Sequence, residues 1–213
     1  MTLRRSLTAL AFALSACGGS ATPAPAQSFG GIVAGASFAP VDAAGFLMAP
    51  MACDRLGAGT HTMVLLQFST ASGTCALAQD QAFCGERAAA VSASVAIERE
   101  NVNGGTVPAI GPGTYGSAGT GMVNADGIVQ FFWASVDRND GTCTALPGGP
   151  KEGGTGTLVL EEVGPSRLRG SASIVFDDGS ELSGPFDVAV CAASSASQCA
   201  SLKSGCSAVT CVP

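Results

Sequence analysis

Charge is scarce in this chain: Lys, Arg, Asp and Glu together make up 12% of 213 residues. That shortage argues against long, solvated helices, which need a charged outer face. The formal net charge is −6, so no basic surface is available to neutralise a phosphate backbone. Nucleic-acid binding and polybasic docking to anionic lipid are therefore excluded as expectations. Histidine occurs once, at His61, and tryptophan once, at Trp133. No Cys-x-x-Cys pair occurs, so a zinc site would need an unusual ligand set, and we expect no metal. A Gly-x-Ser-x-Gly elbow and a Ser-x-x-Lys pair are likewise missing, and His61 has no local partner for a triad. Nor does any apolar run reach the roughly 20 residues needed to span a bilayer.

What is present begins with an N-terminal signal. Arg4 and Arg5 form a basic start, Leu7–Leu14 a short apolar core, and Ser15-Ala16 a small-residue cleavage site. Cys17 follows directly. Leu14-Ser15-Ala16-Cys17 resembles a lipobox, which implies cleavage after residue 16 and acylation of Cys17. Gly18 stands where an Asp would favour inner-membrane retention in enteric-type lipoproteins. That resemblance therefore implies an exported protein anchored in the outer membrane or at the cell surface. Loss of residues 1–16 removes two arginines and no acid, taking the formal charge from −6 to −8. Residues 17–28, small and with Pro23 and Pro25, read as a linker.

With Cys17 committed to lipid, eight cysteines remain: Cys53, Cys75, Cys84, Cys143, Cys191, Cys199, Cys206 and Cys211. In an exported protein an even eight implies disulfides, with 105 possible pairings for eight cysteines.

From Phe29 onward apolar residues alternate with a period of two, with Gly- and Pro-rich turns between. The strands expected are 61–69, 91–100, 128–137, 155–163, 168–176 and 181–191. Asp177-Asp178-Gly179-Ser180 is expected to close a hairpin. The expected fold is all-β: an antiparallel sandwich or partly closed barrel of about eight or nine strands over residues 29–191. A Cys-rich, irregular tail is expected over residues 192–213.

Four stretches then resemble a group of small secreted bacterial lipoproteins: Phe38–Ala44, Gly111-Pro112-Gly113-Thr114-Tyr115, Gly156–Leu160 and Leu182–Asp187 closing on Cys191. The resemblance covers residues 29–191 and implies a structural β domain, with no activity, cofactor or catalytic residue to carry over.

The remaining motifs are modest. Gly111–Gly116 matches a dinucleotide fingerprint as a string, but Ser117-Ala118-Gly119-Thr120-Gly121 after it is no helix, so no cofactor is expected. Asp137-Arg138-Asn139-Asp140-Gly141 has its glycine at the wrong position for an EF-hand. Asp177 and Asp178, adjacent in a turn, are expected to point apart, unlike a glycosidase pair. Tyr115, Phe131 and Trp133 could form an aromatic platform for a sugar or apolar ligand, or pack beneath a second layer. The sequence thus points to a non-enzymatic envelope lipoprotein with a structural or interaction role. The other reading is a small-molecule binder, which needs an apolar cavity of at least about 300 Å³. The membrane, reached through the lipid, is an expected partner, and the sequence identifies no protein or small-molecule partner.

Overall fold

The computed structural model describes residues 28–51, 61–80, 85–118, 123–147, 151–192 and 210–213. Residues 1–27, with Cys17, and cysteines 53, 84, 199 and 206 lie outside the described residues.

Alternation of large apolar and small polar side chains builds two antiparallel sheets. One contains β1 (Gly30–Val33), β2 (Ala36–Phe38), β7 (Gly113–Gly116), β10 (Thr155–Val163), β11 (Arg167–Val175) and β12 (Glu181–Ala189), in the order β2-β1-β12-β11-β10-β7. The other contains β3 (Asp42–Met51), β4 (His61–Ser69), β6 (Val91–Asn101), β8 (Ile128–Arg138) and β9 (Lys151–Glu152), in the order β3-β4-β6-β8-β9. The inward faces meet in one core. Leu66, Val95, Ile97 and Phe132 oppose Leu158, Leu160, Leu168, Ile174 and Leu182, and all are essentially inaccessible to water. Single bridges, Gly45 to Val190 and Ser117 to Phe132, tie the sheets together along both sides. The fold is therefore a sandwich with partly closed edges.

The expected strands are present, most displaced at their ends by only one or two residues. There are thirteen strands among the described residues, not eight or nine. The short strands have two to four residues each; β2, β7 and β9 lie at sheet edges, β1 next to the edge strand β2, and β5 and β13 outside the two main sheets. The hairpin closes at Asp177-Asp178-Gly179, with Gly179 at φ +80° and its N–H donating to Phe176 O at 2.9 Å.

Two features depart from expectation. Residues 74–80 form a short helix, α1 (Thr74–Asp80). Seven residues cannot hold a helix alone; tertiary bonds fix this one. The Thr74 N–H donates to Asp42 Oδ2 at 2.8 Å, and Cys75 is bonded to Cys191. The tail is also not wholly irregular. Its end forms β13 (Thr210–Val212), which pairs in parallel with β5 (Gly85–Arg87). The Cys143–Cys211 disulfide holds that ribbon against the loop after β8.

A second, smaller core lies on the outer face of the five-stranded sheet. Ala44, Phe46, Met48, Met63, Leu65 and Ala96 pack there beneath Ala78 of α1 and the Cys75–Cys191 bridge.

Candidate apolar groove at one end of the sandwich

The core is filled through its middle, but at one end the sheets part. A groove of about 500 Å³ opens there, between the start of β3, the end of β4 and the strands β10 to β12. Three phenyl rings of the core, each at most 5% exposed, form its floor. Phe29, just before β1, stacks on Phe68 with ring centroids 4.2 Å apart. Phe186 meets both rings edge-on, at 6.5 Å from Phe29 and 6.2 Å from Phe68. Phe29 is held by its N–H, which donates to Pro185 O at 2.8 Å. Phe68 and Phe186 point inward because each falls on the apolar phase of its strand.

Gly170 makes room for this arrangement. It is the cross-strand partner of Phe186, whose ring lies across it. A Cβ at residue 170 would sit 2.9 Å from that ring and 2.0 Å from Val159 O. Val41, 72% exposed, stands among the groove's lining residues as an apolar lip.

The charged groups of the rim are satisfied within the protein. Asp42 accepts from Ala43 N at 2.9 Å and from Thr74 N at 2.8 Å. Burial pushes its carboxyl up, but the hydrogen bonds from Thr74, Ala43 and Gly73 together hold it below the usual carboxylate range. Arg167 grips Asp187 with two bonds, Nε to Oδ1 at 2.6 Å and Nη2 to Oδ2. These bonds draw the Asp187 carboxyl down and raise Arg167. Arg169 Nε lies 3.2 Å from Glu161 Oε2.

A second, polar cleft of about 210 Å³ lies on the other side of the five-stranded sheet, under α1 and β5. Ser92, Ser94, Gln67 and Asp137 line it from the sheet, and Glu86 and Arg87 from β5. Asn139 Nδ2 donates to Glu86 Oε2 at 2.6 Å. Burial pushes the Asp137 carboxyl up to about 6, with the neighbouring charges of Glu86 and Glu152 adding to it.

The three aromatic residues proposed from sequence do not assemble into a platform. Tyr115 faces inward from β7 and is 2% exposed, with its Oη donating to Gly111 O at 2.5 Å. The Gly-Pro-Gly-Thr-Tyr motif is thus a strand entry locked by a tyrosine, much as tyrosine corners lock Greek-key sandwiches. Phe131 and Trp133 project from the opposite face of the other sheet. Trp133 is half-buried against the smaller core, and its Nε1 donates to Glu98 Oε1 at 2.5 Å. The platform fails because Tyr115 belongs to the other sheet and its outward neighbours are Thr114 and Gly116. The sequence does not show that Phe29, Phe68 and Phe186 form a group. Their inward phase was visible in the sequence, but their meeting depends on β1 lying beside β12.

Other motifs resolve into local structure. Asp140 Oδ1 accepts from Thr142 N and Oγ1, both at 2.7 Å, and from Thr144 N at 2.9 Å, folding the 137–141 stretch into a turn. Those bonds, led by the Thr142 hydroxyl, hold its carboxyl below the usual range. Asp178 Oδ1 accepts from Ser180 N at 3.0 Å within its hairpin. Of the expected disulfide cysteines, Cys75 pairs with Cys191 and Cys143 with Cys211, at Cα separations of 5.8 and 5.6 Å. Both bridges fit an oxidising, exported environment. Among the described residues no helix is long and apolar enough to cross a membrane.

Fold and groove together define a disulfide-stapled antiparallel β-sandwich with an apolar opening at one end. No protein-family model, curated protein or solved structure matches the chain.

Proposed function

We propose that the chain is an exported envelope lipoprotein, anchored through lipidated Cys17 in the outer membrane or at the cell surface. Its role is interaction, not catalysis, in keeping with the small secreted lipoproteins that its motifs resemble. The sandwich is the working part, and its task is to bind an uncharged apolar molecule in the groove at its end.

The observation that carries this reading is the groove of about 500 Å³ with its floor of Phe29, Phe68 and Phe186. Its volume falls within the range of small-molecule sites, about 300–1,000 Å³. The disulfides support the export that this reading needs, since such bridges form and persist in an oxidising compartment.

The binding role is tested by titrating the full chain, carried in lipid nanodiscs, with a neutral naphthylamine fluorophore against empty nanodiscs. We expect a saturable excess signal of one site per chain. A signal that rises linearly, as in empty discs, would refute binding.

A further inference from the structure

The groove lies where the tether begins. Ser28, the last residue of the linker that leads from Cys17, and Phe29 after it form part of its wall. Cys17 precedes Ser28 by eleven residues. Whatever their conformation, eleven residues span at most about 40 Å, roughly the full thickness of a bilayer. A domain held so closely keeps its groove end near the lipid that holds it.

The chemistry of the rim narrows what can enter. Asp42, Asp187 and Glu161 are each engaged by a donor of the protein itself. Arg169 is likewise committed to Glu161. Among the described residues no rim cation is left over to hold an anionic head, and Asp42 stays ionised under its backbone donors, so the part of the ligand that enters the apolar groove is uncharged. An apolar lining of Pro40, Val41, Ala43 and Pro185 above the three nearly buried phenyl rings suits a hydrocarbon chain. Val41 and Pro185 offer apolar contact where such a chain would leave the groove.

We infer that this groove seats a single acyl chain of a bilayer lipid, taken up beside the protein's own anchor. The inference rests on the reading of Cys17 as the anchor and of the groove as a binding site, and it names the ligand class. Such seating gives the sandwich a second, non-covalent hold on the bilayer. One acyl chain binds only reversibly, so this contact orients the domain while the covalent lipid retains it.

The test uses the full lipidated chain in phosphatidylcholine vesicles containing a phosphatidylcholine with a diazirine midway along one acyl chain. After irradiation, adducts are mapped by peptide mass spectrometry. We expect adducts on the peptides carrying Phe68 and Phe186. Val41→Asp and, separately, Pro185→Glu should lower their yield several-fold. Both positions are exposed, so the fold is retained, and an unchanged thermal melt checks this. Adducts absent from the groove strands, or indifferent to both variants, would overturn the inference. If the neutral fluorophore still binds in that case, the acyl-chain inference falls and the binding reading stands; if it also fails, both fall. A dimer in the same vesicles, lost in Val41→Asp and without groove adducts, would assign the groove to a second copy and overturn the inference.

Discussion

Single residues decide whether the groove exists. Gly170 faces Phe186 across the strand pair, and a methyl group there meets both that ring and the Val159 carbonyl. Gly170→Ala should therefore destabilise the domain by about 1–3 kcal/mol, the usual cost of overpacking, as read from chemical denaturation. An unchanged midpoint would mean that the strands can part without loss. Asp137 governs a different property. Its carboxyl titrates at about 6 in the folded protein, above the ordinary value of 3.8. Between those values the folded state holds a proton that the unfolded state has released, so stability falls as pH rises from about 4 to 6. Asp137→Asn should flatten that slope and raise stability at pH 7 by on the order of 1 kcal/mol, discounted because solvent reaches the group. Melting curves across pH 4–7.5 check it, and an equally steep slope in the variant would contradict it. Neither residue announced its role in the sequence. Gly170 is one of 29 glycines, and the burial of Asp137 depends on β5, which pairs with the distant β13. The aromatic residues show the same divide. Alternation placed Phe131 and Trp133 together on one face of β8, as found, but sheet membership put Tyr115 elsewhere.

At the scale of elements, the long strands were legible because period-two alternation is local. Val91–Asn101 and Ile128–Arg138 lie side by side through eleven paired residues, and their apolar phases coincide across the ladder. α1 and the β5–β13 ribbon were not legible, because neither carries its own stability. Cys75–Cys191 ties the helix to the end of β12, and Cys143–Cys211 ties β13 to the loop after β8. Removing the second bridge by Cys143→Ser with Cys211→Ser should cost about 2–4 kcal/mol. Amide exchange at Gly85–Arg87 should accelerate well beyond exchange in β11. Equal protection in both strands would mean that the ribbon holds without its bridge. Pairing could not be read from spacing, since the bridges span 116 and 68 residues and depend on how the sheets are stacked.

For the whole molecule, fold class was the readable part of the sequence. Alternation and turn chemistry implied an antiparallel sandwich or partly closed barrel, and the structure joins a sandwich at both edges. The groove was not readable, because it forms where three rings from distant segments meet at one end of two sheets. Its proposed use depends on the anchor, since the groove wall begins where the linker from Cys17 ends. The most direct test of that account is metabolic labelling with a radioactive fatty acid in cells expressing the full chain or Cys17→Ala. The account predicts that the wild-type chain carries label and fractionates with membranes, and that Cys17→Ala carries none. Label retained undiminished in Cys17→Ala, or absent from the wild-type chain, would contradict it.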